Sequence, residues 1–330
     1  MPDDGLQAEV QAALAEQFTL QRELPRGGMS RVFVATENAL RRHVVIKILA
    51  PELAASLSAE RFKREIALAA HLQHPHIVPL LSAGQAGEHL YYTMPFVDGE
   101  SLRQRMDRER PMAFTDIATI LEEVAGALAY AHAEGIVHRD IKPENVMFFH
   151  GQAVVLDFGI GKALISASTT ETEAEIMRIT QVGMSLGTPT YVAPEQAAGD
   201  PALDHRADLY ALGVVAYEMI TGHPPFASRS PQAVIEAHAL QIPDPIATKR
   251  PDVPKHLASI VMRTLAKRPA DRPSSGEEIA KAVSLAVMPR HSGGGPVVET
   301  IANAPLWVPW AITGVMTVVA ITMGILYATR

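Results

Sequence analysis

The chain predicts an α+β fold of two lobes around a cleft, followed by one C-terminal membrane-spanning helix. Three observations lead there. β-type runs dominate up to about Met94, whereas helical periodicity dominates from Ser101 onward. The 330 residues exceed a single small domain. Finally, residues 300–329 contain no charged side chain at all.

Taken in order, Leu6–Gln17 has the pattern of a short amphipathic helix leading into a first strand near Phe18–Leu24. Val44-Val45-Ile46-Lys47 is a β-branched run ending in a lysine, as in a strand that aims one ammonium at a target. Ala59–Leu68 places apolar residues at helical spacing with charges between them, and Leu90–Met94 reads as another strand. Pro95–Gly99 then forms a hinge, and Ile117–Glu134 is apolar at i, i+3 and i+4. The boundaries that follow are a helical lead-in over 1–17, a small lobe over 18–94 and a large lobe over 95–288. A flexible His-Ser-Gly-rich linker covers 289–304, and the membrane helix 305–329. Trp307 to Tyr327 would span roughly 31 Å as a helix, enough for a bilayer core, with Trp307, Trp310 and Tyr327 as interfacial aromatics.

Composition narrows the function classes. The 48% hydrophobic and 20% charged residues suit a globular core with a solvated surface. Without cysteine there are neither disulfides nor thiolate metal sites, and a net charge of −7 gives no reason to invoke nucleic acid. His71, His74 and His76 lack a carboxylate or cysteine to complete a zinc site. The N-terminus is acidic and shows no signal-peptide pattern.

Chemistry concentrates in His138-Arg139-Asp140-Ile141-Lys142-Pro143-Glu144-Asn145 and, twelve residues on, Asp157-Phe158-Gly159. Asp140 can accept a hydroxyl proton, Lys142 adds a cation beside it, and Asn145 and Asp157 offer oxygens to a metal. Phosphoryl transfer from a Mg-bound nucleotide needs that set. With Ala193-Pro194-Glu195, Asp208 and Arg272 following in order, the chain resembles the eukaryotic-type protein kinases, and most of all the bacterial Hanks-type Ser/Thr kinases.

The resemblance implies a bilobal kinase fold using ATP and Mg2+, with Mn2+ as a substitute, on protein Ser/Thr hydroxyls. By that resemblance Lys47 and Glu65 pair to hold the α/β-phosphates, and Thr188 stands near Asp140. Leu24, Gly27, Gly28, Ser30, Val32, Met94, Pro95, Val97 and Asp98 surround the nucleotide, with Met94 as gatekeeper and the Val97 N–H as donor to adenine. His138 packs near Phe158. The phosphate loop departs from the family pattern, since Pro25 and Ser30 replace two glycines. That departure keeps open the alternative of a membrane-tethered pseudokinase scaffold. A small-molecule phosphotransferase is disfavoured by the Ala193–Glu195, Asp208 and Arg272 set.

Residues 166–175 are rich in Ser, Thr and Glu, the composition of a solvated loop. Thr180, with Ser185 second, lies where the family autophosphorylates, and Arg139 is the cation such a phosphate would meet. Ala320, Gly324 and Ala328 share a helix face suited to a homodimer contact. ATP chemistry places residues 1–300 in the cytoplasm, tethered by a single pass to the cell (inner) membrane.

Overall fold

The computed structural model describes residues 4–24, 30–49, 59–158, 189–227 and 230–287. They form two lobes, a β-sheet lobe followed by a helical lobe. Gly27, Gly28, Thr180, Ser185, Thr188, the linker and the expected membrane helix lie outside the described residues, as does the Glu65 side chain. Among the described residues no helix is long and apolar enough to cross a membrane.

The chain begins with α1 (Asp4–Leu14), which runs into β1 (Phe18–Glu23). Val10 and Leu14 are spaced i, i+4 and drop into one cluster with Phe18, Phe33, Val44 and Ile46. The helix therefore belongs to the small-lobe core. It also pairs with an edge strand: the Leu20 N–H donates to Gln11 Oε1 at 2.7 Å, and Gln11 Nε2 donates to Phe18 O at 3.1 Å. A side-chain amide thus takes a place that a neighbouring strand would otherwise fill.

β2 (Ser30–Glu37), β3 (Arg42–Leu49), α2 (Ala59–Ala69), β4 (Ser82–Ala86) and β5 (His89–Pro95) complete this lobe. The antiparallel sheet has the order β1-β2-β3-β5-β4, with Lys47 opposite Val32 on one side and Tyr92 on the other. Phe62, Ile66 and Ala69 form the buried stripe of α2. Pro95, expected to open the hinge, is instead the last residue of β5, opposite Val44. A strand end tolerates proline because the ladder needs no further N–H there.

The crossing to the large lobe is tight. A Cβ on Gly99 would lie 1.9 Å from Phe148 O, so only glycine fits. Next comes α3 (Leu102–Arg108), started by a capping box: the Gln104 N–H donates to Ser101 Oγ at 3.2 Å and the Ser101 N–H to Gln104 Oε1 at 2.8 Å.

The long α4 (Phe114–Ala133) is followed by the hairpin β6 (Val146–Phe149) and β7 (Gln152–Val155). A short α5 (Pro194–Ala197) precedes α6 (Arg206–Thr221), which is buried from Ala207 to Ile220. A helix apolar on nearly all sides has to be central, and the others pack around it. Gly222 ends α6 at φ 82°, its N–H donating to Glu218 O at 2.8 Å. The last helices are α7 (Pro231–Leu240), α8 (Ile246–Lys249), α9 (Lys255–Thr264) and α10 (Gly276–Val287). α10 packs along α4, burying Ile279 and Val283.

Candidate active site

The site begins at a buried aspartate. Asp208, near the start of α6 and 1% exposed, receives the His138 N–H and the Arg139 N–H on its two oxygens, each at 2.7 Å. His132 from α4 adds a third contact at 2.8 Å. Burial alone would raise its carboxyl; the hydrogen bond and charge of His132 outweigh this and hold it below the usual range. This brace helps hold Arg139 at φ 68°, a left-handed conformation that a β-carbon disfavours. Gln196 of α5 clamps the same residue, its Nε2 donating to Arg139 O at 2.7 Å.

The loop beyond is wired to itself. Lys142 Nζ donates to Asp140 Oδ2 at 2.6 Å. Asn145 Nδ2 donates to Asp140 O at 2.7 Å and to Asp140 Oδ2 at 3.0 Å. Spending the amide nitrogen on Asp140 turns Asn145 Oδ1 the other way, as a hard-cation ligand requires. The Leu156 N–H donates to Asn145 O at 2.9 Å, so one hydrogen bond ties the loop to the residue before Asp157.

Asp157 adopts φ 64° and meets the small lobe. The Lys47 ammonium of β3 contacts Oδ2, and the Tyr92 hydroxyl of β5 donates to Oδ1 at 3.1 Å. Burial pushes the Asp157 carboxyl up, but the adjacent Lys47 charge reverses this and leaves it lowered. Burial first, then the Asp157 charge, push the Tyr92 phenol well above its ordinary value, so it remains a donor. Phe158 lies edge-on to His138 with ring centroids 4.7 Å apart, and His138 Nε2 reaches Leu156 O at 2.7 Å.

Three of the expected nucleotide residues share one cluster. Val32, Met94 and Val97 belong to one apolar cluster with Met147 and Leu156 from the other lobe. The Leu24 N–H donates to Val32 O at 2.8 Å, continuing the β1–β2 pairing to the edge of the phosphate loop. Ser30 opens β2, Pro95 ends β5, and Asp98 is exposed just beyond Val97. Lys47 contacts Asp157, while its expected partner, the Glu65 side chain, lies outside the described residues. Of the three histidines 71, 74 and 76, His74 stacks on Tyr130 at 5.3 Å and His76 Nδ1 contacts Ala153 O at 2.8 Å.

A protein kinase domain model matches residues 18–284. The chain belongs to the protein kinase family. As a kinase it is 38% identical over 273 residues to the serine/threonine-protein kinase pkn3 of Myxococcus xanthus, an alignment covering 80% of this chain and 49% of that protein. It is also 38% identical over 272 residues to the serine/threonine-protein kinase PknB of Mycolicibacterium smegmatis, covering 81% and 42% respectively. The figure for PknB of Mycobacterium tuberculosis is 37% over 272 residues, again covering 81% and 42%. The chain thus spans half or less of the length of these relatives.

Two further parts of this kinase site were invisible in the sequence. Arg103 of α3 gathers the catalytic loop, α6 and the segment before α5: it donates to Glu144 at 3.2 Å, to Glu218 at 2.9 Å and to the Tyr191 hydroxyl. Tyr191 in turn donates to Glu218 at 2.6 Å. Tyr92 is the second, and no pattern along the strand marks its hydroxyl. Arg272 and Glu195, by contrast, were both singled out in the sequence, and Arg272 pairs with Glu195. Its five N–H groups go to the two Glu195 oxygens at 2.5 and 2.7 Å and to the carbonyls of Ala266, Arg206 and Lys267.

Proposed function

We propose that the chain is an ATP-dependent serine/threonine protein kinase. The observation that carries this reading is the meeting of Asp140, Lys142 and Asn145 from one loop with the Lys47–Asp157 pair that bridges the lobes. Asp140, its side chain 59% exposed, orients a substrate hydroxyl and accepts its proton as the hydroxyl oxygen takes the γ-phosphoryl group and ADP leaves. Lys142 offsets charge on the transferring group, and Lys47 serves the α/β-phosphates. Mg2+, when bound, would neutralise phosphate charge, and Asn145 and Asp157 are the oxygen ligands that fit it. The apolar walls at Val32, Met94 and Val97 suit a purine ring. Among the described residues the Val97 N–H donates to no other group, which leaves it for the base.

Regulation by the activation segment, the stretch from Asp157 to Glu195, would act on the same site. Arg139 Nε is buried without a hydrogen-bond partner among the described residues, and burial lowers the basicity of its guanidinium. A phosphate on Thr180 or Ser185 would supply the missing anion and order the segment. The charge-free run 300–329 would tether the kinase to the cell membrane with the catalytic lobes in the cytoplasm, and its Ala320-Gly324-Ala328 face would favour homodimers that phosphorylate in trans.

Incubating the purified chain with γ-labelled ATP, Mg2+ and a generic protein substrate tests the activity. Label recovered as phosphoserine or phosphothreonine supports it. Nucleotide binding without any transfer would instead make the protein a scaffold, the reading that Pro25 and Ser30 favour.

A further inference from the structure

Tyr92 is a phenol in apolar company. It is 3% exposed and shares its cluster with Val45, Phe62, Ile66, Leu80 and Met94. A buried hydroxyl needs a partner, and the partner supplied here is a metal-ligand carboxylate from the opposite lobe. Strand register explains how it arrives. Tyr92 stands directly opposite Lys47, so both side chains leave the same face of the sheet and close on Asp157 together. Each takes one carboxylate oxygen, Lys47 the Oδ2 and Tyr92 the Oδ1.

We infer that Tyr92 is a positioning residue for the metal site: its hydroxyl holds the Asp157 carboxylate in the orientation that receives a divalent cation. When Lys47 turns to the nucleotide phosphates, Tyr92 is the donor that stays on Oδ1 and leaves Oδ2 facing the cleft. Groups that orient a ligand from behind typically contribute ten- to a hundred-fold to metal affinity. The inference rests on the proposed role of Asp157, and the test separates the two.

The test is Tyr92→Phe in the full chain, which keeps the ring and removes only the hydroxyl. Binding of a fluorescent ATP analogue is followed as Mg2+ is raised. The half-saturating Mg2+ concentration is expected to rise about ten-fold, while analogue binding without metal stays as in the wild type. Tyr92→Met, which fills the space flexibly, should shift the Mg2+ curve by a similar factor and guards against a misfolded first variant. Tyr91→Phe, which removes a hydroxyl on the other face of the same strand, should not shift it. An unshifted curve for Tyr92→Phe overturns the inference, and so does a fall in the Mg2+ requirement, since the hydroxyl would then compete with the cation. A wild-type protein whose nucleotide binding ignores Mg2+ overturns the assignment of Asp157 itself.

Discussion

At the scale of single residues, chemistry and stability are carried by different carboxylates. Asp140 is mostly exposed and bonds chiefly within its own loop, so Asp140→Asn should leave stability within about 0.5 kcal/mol of wild type. Loss of the proton acceptor should nevertheless lower phosphotransfer by about 10²- to 10⁴-fold, measured with labelled ATP. Asp208 is the reverse case. Replacing it with alanine strands two backbone N–H groups, each costing about 1–3 kcal/mol, which urea unfolding would register. Its carboxyl is depressed in the folded state. The stability it contributes is therefore complete above the unfolded carboxyl value of about 3.9 and drains away as pH falls through the lower folded value. Unfolding free energies taken from pH 7 down to 3 should show the gap between wild type and Asp208→Asn narrowing below about pH 4.

At the scale of elements, docking depends on a few polar contacts sunk into apolar seams. α7 leans on α6 through His238, whose Nδ1 lies 2.9 Å from the Tyr210 hydroxyl in a fully buried pair. Burial lowers the His238 imidazole to about 4. A neutral histidine there supports folding above its unfolded value of about 6.5, and that support is lost as pH falls from 6.5 towards 4. The drop amounts to about 3–4 kcal/mol, at 1.36 kcal/mol per pH unit between 6.5 and about 4. His238→Gln, which keeps a hydrogen-bonding group but cannot titrate, should flatten the stability profile in that window. The α5 end of the activation segment is pinned by the Arg272–Glu195 pair, with side chains 0% and 8% exposed. Arg272→Ala leaves a buried carboxylate unpaired and should destabilise by about 3–5 kcal/mol in urea unfolding. α1 is equally integral: Leu14→Ala, at a side chain 3% exposed, should cost about 2–5 kcal/mol.

At the scale of the whole molecule, Asp157 of the large lobe meets Lys47 and Tyr92 of the small lobe, beside the backbone pairing of His76 and Val78 with Val155, while the proposed C-terminal anchor would set where the protein works. A chain truncated after residue 299 should keep its phosphotransfer activity in solution, because the kinase domain match ends at residue 284. The full chain should sediment with membranes and the truncated one should not. Fractionation of cells expressing each form checks this, and equal partitioning would remove the anchor from the proposal.

Residue order alone determined the family and marked the groups proposed to react. The proposed proton acceptor Asp140, its neighbour Lys142 and the proposed metal ligands Asn145 and Asp157 are written within two short stretches, 138–145 and 157–159, whose chemistry can be read without knowing what surrounds them. The main helices and strands were also legible, since periodic burial needs only neighbours a few positions away; their ends moved by up to three residues, as at α4. What the tertiary structure decided was which partner each buried polar group takes. Arg103 meets groups 41, 88 and 115 residues distant, and Tyr92 meets one 65 residues away. The chain offers 36 acidic side chains to each cation, and nothing local ranks them. Packing removes water from a few, and a desolvated charge or hydroxyl then has to be satisfied by whatever the fold has brought within reach.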